Sequence, residues 1–322
     1  MTYGLRGDDP GKWGHSLANL QEVTVAVLDA AGARSVAEIG AYAGDLTRDL
    51  ADWAEPRGGS VTAVDPFPQP ALTQLAQERD SVTLVEEPSF EALRHMPGTD
   101  VVVIDGDHNY YTVLSELRAV DERFAGDEFP LLLLHDVRWP HGRRDAYYSP
   151  DSIPEGERHP MESGPVFPGI TDLAPGGLPY KNVAAHEGGP RNGVLTALED
   201  FLEERDDLTV AIVPAFFGLA IVWPSAAPWA PELASLLEPF DRVPWIERLE
   251  QHRVYNLARF YREKMRLEWE IDRLRESNRL KAEMLERLGE SRAFRIAERL
   301  HRLGGRNGVP WSEQLRSLID DR

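Results

Sequence analysis

The sequence predicts a doubly wound α/β domain built on a parallel sheet, followed by one long helix. Between residues 16 and 136, short apolar segments alternate with amphipathic ones, as in βαβ units with right-handed crossovers. Two of the apolar runs, over 101–104 and 131–134, are uninterrupted, which is typical of strands buried on both faces. From about residue 246 the chain changes to a charged pattern with helical spacing.

The elements follow in order along the chain. Leu17, Leu20, Val23 and Val27 recur at helical spacing and predict the first helix. Each later strand is β-branched or leucine-rich, and the last two strands are separated by so few residues that an antiparallel hairpin is expected. We predict helices over 16–31, 45–53, 70–79, 90–96, 111–123 and 193–204, and strands over 35–39, 60–64, 81–85, 101–104, 131–136, 208–214 and 217–223, making a sheet of seven strands.

Two segments lie outside this alternation. Residues 138–192 are rich in proline, glycine and aromatic residues and show little periodicity, so they are predicted to form an irregular insertion that acts as a lid. We therefore divide the chain into a domain over 1–245 that contains this insertion, a long helix over 246–303 and a tail over 304–322.

The long helix carries a heptad pattern, which predicts a coiled coil and a homodimer. The alternatives are a helix that packs on its own domain and a solvated helix. The pattern places Leu257, Lys264, Ile271, Asn278 and Leu285 at position a, and Phe260, Leu267, Leu274, Lys281 and Leu288 at position d.

Composition excludes several classes of protein. The formal charge of −19 disfavours nonspecific nucleic-acid binding, which needs a basic surface. Cysteine is absent, so disulfides and thiolate nucleophiles are excluded. No apolar stretch is long enough to span a membrane, and residues 1–10 lack the apolar core of a signal peptide, so we expect a cytoplasmic protein.

Acid/base side chains follow two predicted strands at the point where each strand ends. These side chains are Asp105, Asp107 and His108 after the first strand, and His135 and Asp136 at the second. Because ligands of open α/β sheets bind beyond the carboxyl ends of the strands, we expect these groups to share one rim that forms an active site.

A glycine loop follows the first strand. It reads Glu38-Ile-Gly40-Ala-Tyr42-Ala-Gly44, and Asp65 ends the second strand, where a carboxylate can accept ribose hydroxyls. A dinucleotide fold needs Gly-x-Gly-x-x-Gly, which this loop lacks, so a ligand with a ribose but no pyrophosphate fits better. A nicotinamide-dependent oxidoreductase is the alternative.

The glycine loop, Asp65, Asp105-Gly-Asp107-His108 and His135-Asp136 together resemble class I S-adenosylmethionine (SAM)-dependent methyltransferases. More narrowly, they are similar to the macrocin/mycinose-type sugar O-methyltransferases and the cephalosporin-hydroxylase-like family. The resemblance spans roughly residues 15–225. It implies a Rossmann-like fold and O-methylation of a hydroxyl on a sugar or glycosylated metabolite, in natural product or polysaccharide biosynthesis.

The resemblance also implies roles for individual residues. Asp107 would be the general base. Apart from the resemblance, an imidazole can also take up a proton, so His108 and His135 are alternative bases. A divalent metal, Mg²⁺ or Mn²⁺, would bind Asp105 and Asp136, with His135 standing where those relatives have an acid. The cofactor-binding residues would be Glu38, Gly40, Tyr42, Gly44, Asp65, Ser89 and Asp105.

Simpler explanations stay open for several of these residues. Asp107 could cap the following helix, and His141 is expected at the surface. Arg143 and Arg144 either recognise an anionic acceptor or lie in a solvated turn. The aromatic residues of the insertion either line an acceptor pocket or pack the lid; they are Trp139, Tyr147, Tyr148, Phe167 and Tyr180.

Two further alternatives concern the long helix and the tail. The chain could be a non-catalytic module that assembles through its coiled coil. The basic amphipathic stretch over 291–306 could be a solvated helix, or it could contact an anionic membrane or an acidic partner.

Overall fold

The computed structural model describes residues 16–125, 129–303 and 309–320. It divides the chain into two compact units, Met1–Tyr261 and Arg262–Arg322. The expectation about a signal peptide concerns residues outside the described ones. None of the described helices is long and apolar enough to cross a membrane.

The first unit contains the predicted seven-stranded sheet. The strands of the chain are β1 Ser35–Ile39, β2 Ser60–Val64, β3 Val82–Val85, β4 Val101–Ile104, β5 Leu131–His135, β6 Met161–Val166, β7 Leu178–Ala184, β8 Leu208–Val213 and β9 Leu219–Pro224. The strand order of the sheet is β3-β2-β1-β4-β5-β9-β8, in which β1 to β5 run parallel and the β8–β9 hairpin is antiparallel. The predicted fold class is therefore confirmed.

The uninterrupted apolar runs are explained by two cores, one on each face of the sheet. Val101 and Val103 belong to one core, while Val102 and Ile104 belong to the other. Successive side chains of a strand point to opposite faces, so a strand between two cores needs an apolar residue at every position.

The helices agree with the predictions up to the end of the sheet and depart from them afterwards. Residues 17–20 form a short 3₁₀ turn, and the α-helices are α1 Gln21–Ala30, α2 Asp45–Ala54, α3 Pro70–Glu78, α4 Ser89–His95, α5 Tyr110–Arg123, α6 Val194–Glu203, α7 Ala230–Leu237, α8 Pro244–Glu290, α9 Arg292–Leu303 and α10 Trp311–Asp320. Helices α7 and α10 were not predicted.

The prediction of a single helix over 246–303 is wrong, because the structure has two helices here. α8 ends at Glu290, and Ser291 starts α9 by accepting a hydrogen bond from the Phe294 amide through its hydroxyl, at 3.1 Å. A serine in this position is a preferred N-cap, which favours a new helix over continuation of the old one.

The insertion is more regular than predicted. β6 and β7 pair as an antiparallel ribbon, and Val166, Leu178 and Val183 form a small core with Ala258 of α8.

Asp145 fastens the insertion to the sheet domain. Its fully buried carboxylate accepts hydrogen bonds from the Tyr110 and Gly193 amides and from the Tyr147 hydroxyl. The expectation of an irregular segment fails here because these contacts are long-range.

The heptad residues of α8 have different surroundings along the helix. Leu257 packs against the core of the insertion, as expected of a helix that folds back on its own domain. Leu267, Ile271 and Leu274 are half-exposed. The coiled-coil homodimer therefore remains a prediction, restricted to the part of α8 beyond Leu257, and the molecular mass in solution tests it.

Candidate active site

The carboxyl ends of β4 and β5 meet at one rim, as predicted. The two strands are parallel neighbours, with Ile104 beside Leu134. The next residues therefore face each other, and His135 Nδ1 lies 2.9 Å from Asp105 Oδ1 and 3.4 Å from Asp136 Oδ2. Asp136 adopts a positive φ of 60°, an uncommon backbone conformation for a residue with a Cβ and one that clusters at active sites.

His135 is held so that its Nδ1 atom faces the two carboxylates. Its Nε2 lies 2.8 Å from the Phe216 carbonyl, which can only accept, so Nε2 carries a proton. Burial alone would lower the pKa of His135, but Asp105 and Asp136 outweigh this and raise the pKa to about 10. A proton on Nδ1 therefore neutralises part of the charge of the two carboxylates.

The same three side chains also fit a metal ion. The ligand atoms of Asp105, His135 and Asp136 lie within 4.8 Å of one another. A backbone carbonyl that binds the other ring nitrogen is the usual support of a metal-ligating histidine. A nitrogen in the donor set suits Mn²⁺, Fe²⁺ or Zn²⁺ better than Mg²⁺, which prefers oxygen.

A second group at the rim includes a residue that the sequence did not predict. His108 Nε2 lies 2.8 Å from Asp136 Oδ2, and the His108 and His141 rings contact edge to face at 4.6 Å. His108, Asp136 and His141 also bring three ligand atoms within 4.8 Å. His141 is buried, so its expected surface position is wrong: the segment after β5 turns back over the rim, a course that no local pattern indicates.

Asp107 does not cap the helix that follows it. The Asn109 side chain takes that role by accepting from the Thr112 amide at 2.9 Å. Asp107 Oδ1 instead accepts from the amides of His108 and Tyr148, at 3.0 and 3.1 Å. Burial raises the pKa of Asp107, which makes this carboxylate a better proton acceptor than an exposed one.

The glycine loop passes directly over the start of this rim. Gly40 has a φ of 85°, and a Cβ there would lie 2.3 Å from the carbonyl oxygen of Asp105. Gly44, with a φ of 79°, precedes α2. Only glycine tolerates such an approach at position 40, so the loop runs close to the end of β4. Within the described part of the chain, no side chain caps the N-terminus of α2 at Gly44.

Asp65 joins the loop to the end of β2. One carboxylate oxygen accepts from the Tyr42 amide at 2.7 Å and the other from the Phe67 amide at 2.8 Å. A carboxylate has about four acceptor positions, so both oxygens can still bind hydroxyl groups. The Tyr42 and Phe67 side chains are exposed beside it.

Two buried acids lie close to the rim. Glu38 accepts from the Thr47 hydroxyl at 2.6 Å, and burial raises the pKa of Glu38 to about 8. Ser89, expected near an adenine, donates to Glu116, whose pKa burial also raises to about 8. Glu116 was not predicted as a site residue, although its position among the apolar residues on the buried face of α5 could have indicated it.

Arg143 and Arg144 are both bound within the protein, Arg143 in a partly exposed ion pair and Arg144 in the interior. Arg143 makes a two-pronged ion pair with Glu199, at 2.6 and 2.7 Å. Arg144 is 1% exposed and donates to the carbonyls of Ala184 and Thr171.

The aromatic residues of the insertion divide into two groups. Tyr148 is 74% exposed with its ring edge-to-face with His108, and the Tyr180 hydroxyl lies 3.2 Å from His141 Nε2, so both adjoin the rim. Tyr147 and Phe167 are buried, and Trp139 packs against the small core of the insertion.

A comparison with known families finds a match within the sheet domain. Residues 37–137 match the family model of a methyltransferase domain, which spans β1 to the end of the rim. No curated protein matches the chain. The domain match and the strand order support a class I SAM-dependent methyltransferase.

Several solved structures are similar to this chain in fold, at low sequence identity. Podospora anserina methyltransferase PaMTH1, bound to S-adenosylhomocysteine (SAH), is 17% identical, with 68% of this chain and 84% of that chain covered and a TM-score of 0.43. The O-methyltransferase NcsB1 of neocarzinostatin biosynthesis, bound to SAM and a naphthoic acid, is 16% identical over 65% of this chain and 55% of that chain, with a TM-score of 0.39. These values carry no argument about the acceptor.

Proposed function

We propose that the chain is a SAM-dependent O-methyltransferase that acts on a hydroxyl of a sugar or glycosylated metabolite. One observation supports this proposal above all. The glycine loop, the carboxylate of Asp65 and the acid/base groups after β4 and β5 lie together at one rim.

The cofactor side of the rim suits SAM. Gly40 and Gly44 let the backbone approach the methionine part, and Asp65 accepts both ribose hydroxyls. Tyr42 and Ser89 flank the site, and Glu38 fastens the loop to α2 through Thr47. When bound, SAM supplies a methyl group that its sulfonium already activates.

On the acceptor side of the rim, a base takes up the proton of the acceptor hydroxyl. SAM would supply its methyl group to the hydroxyl oxygen and leave as SAH, and a base of this chain would take up the hydroxyl proton. Asp107 is the proposed base because burial raises its pKa and its Oδ1 is fixed by two amides. His108, oriented by Asp136 through Nε2, is the alternative base.

The position of Tyr148 favours an acceptor that contains a sugar ring. Its exposed side chain lies beside His108, where one face of a sugar ring can stack. If the acceptor is a glycoside, radiolabelled methyl transfer from SAM is expected to be much faster with glycosylated metabolites than with the matching aglycones. Equal transfer to both, or transfer to aglycones alone, would refute the proposed acceptor class.

We further propose that Asp105, His135 and Asp136 hold a divalent metal, which would lower the pKa of a coordinated acceptor hydroxyl. Exhaustive chelation is then expected to lower turnover, and Mn²⁺ is expected to restore more of it than Mg²⁺. Elemental analysis gives an independent readout: the purified protein should retain metal, and a His135→Gln variant should retain less. Undiminished turnover of metal-free protein would remove the metal from the mechanism.

A further inference from the structure

The charge of the chain is unevenly distributed between its two units. Residues 1–261 hold 20 Lys and Arg against 42 Asp and Glu, whereas residues 262–322 hold 15 against 12. The net charge of the first unit therefore opposes attraction to a polyanionic surface, whereas the net charge of the second unit, 15 − 12 = +3, favours it.

One face of α9 is already occupied by α10. The rings of Phe294 and His301 contact Trp311, with centroids 6.3 and 4.6 Å away. Glu298 Oε1 accepts from both the amide and the hydroxyl of Ser312, at 2.9 and 2.7 Å. These contacts fix which side of α9 faces its neighbour.

The opposite face of α9 is apolar and exposed. Ile296, Leu300 and Leu303 are 60%, 63% and 79% exposed. Their spacing of four and three residues puts them on one stripe, and at 100° per residue this stripe lies about 160° from the side that carries Phe294, Glu298 and His301. The stripe is therefore held away from α10 and open to another surface.

Basic side chains lie along one edge of this stripe. Arg292, Arg295 and Arg299 are all exposed, and Arg292 and Arg299 lie next to Leu303 and Ile296 around the helix. Glu298, the acid of α9, is on the α10 side and bound to Ser312. An apolar stripe with arginines beside it is the pattern of helices that lie in the interface of a membrane.

We propose that α9 is a docking helix for an anionic lipid surface. Its stripe of Ile296, Leu300 and Leu303 enters the boundary between headgroups and acyl chains, and its arginines pair with lipid phosphates. Lipid accounts for both features at once. A nucleic acid would use the arginines but gain nothing from the apolar stripe, and a second copy of α9 would bring its arginines towards like charges.

The test is flotation of the full-length chain with vesicles of phosphatidylcholine alone and of phosphatidylcholine mixed with phosphatidylglycerol. We expect binding to the mixed vesicles only, reduced by high salt. Leu300→Gln combined with Leu303→Gln should weaken binding about tenfold or more. Arg295→Gln and Arg299→Gln should each weaken it about fivefold. Met284→Gln is the matched control, because Met284 is 70% exposed on α8 but lies outside the stripe.

Four outcomes would overturn the proposal. The first two are that the unmodified chain does not bind vesicles, or that it binds neutral and mixed vesicles equally. The third is that the leucine and Met284 variants lose equal amounts of binding. The fourth is binding to duplex DNA that the arginine variants abolish and the leucine variants preserve. A dimer that the leucine variants dissociate, without vesicle binding, would assign the stripe to a second copy instead. Circular dichroism of each variant verifies that α9 is still folded.

Discussion

Replacing Gly40 with alanine is expected to abolish binding of SAH. The new Cβ would lie 2.3 Å from the carbonyl oxygen of Asp105 and 2.4 Å from the Cα of Gly106, and both of these neighbours are backbone atoms that cannot move aside as a side chain can. A φ of 85° adds about 1 kcal/mol of strain for any residue with a Cβ. The loop must therefore shift away from the position in which it would cradle a ligand.

The matched control is Gly98→Ala. Gly98 lies in the same unit and has no atom within 4 Å of an added Cβ, so this variant should bind SAH normally. Calorimetric titration measures the binding, and thermal unfolding shows that both variants fold. If Gly40→Ala folds and binds SAH with unchanged affinity, the glycine loop does not bind the cofactor.

Replacing Asp107 with asparagine is expected to lower kcat by about 10²–10⁴-fold while leaving the affinity for SAH unchanged. Asparagine keeps the shape of the side chain and can still accept from the amides of His108 and Tyr148, but it cannot take up the acceptor proton. A separation of kcat from cofactor affinity is what distinguishes a base from a residue that merely supports the loop.

His108→Gln and Asp151→Asn complete this experiment. If Asp107 is the base, His108→Gln should reduce kcat less than Asp107→Asn, since His108 then acts through orientation alone. Asp151 is an exposed carboxylate of the insertion, and its variant should behave like the unmodified enzyme. A larger loss with His108→Gln would transfer the role of base to His108, and normal turnover of both variants would exclude both residues.

The strands of the sheet could be predicted because the pattern of each strand lies within one short segment of the sequence. Continuous apolar runs report strands buried on both faces, and β4 and β5 are such strands. Once two strands are parallel neighbours, the residues after them must share a rim, so the proximity of Asp105 to His135 and Asp136 followed from the order of the elements.

The missed features depend on contacts between residues that are distant in sequence. His141 joins His108 only because the insertion turns back over the rim, and Asp145 fastens that turn by binding the amides of Tyr110 and Gly193. Leu257 fits a heptad, yet it packs on the insertion. A periodic pattern shows that a helix has an apolar face, but it does not show which partner covers that face.

Calorimetric titration of the unmodified chain with SAH tests whether the glycine loop and Asp65 form a SAM site. If they do, SAH is expected to bind saturably at one site per chain, unaffected by an excess of NADH. An absence of SAH binding, together with a change in NADH fluorescence on mixing, would contradict it and would assign the glycine loop and Asp65 to a nicotinamide dinucleotide.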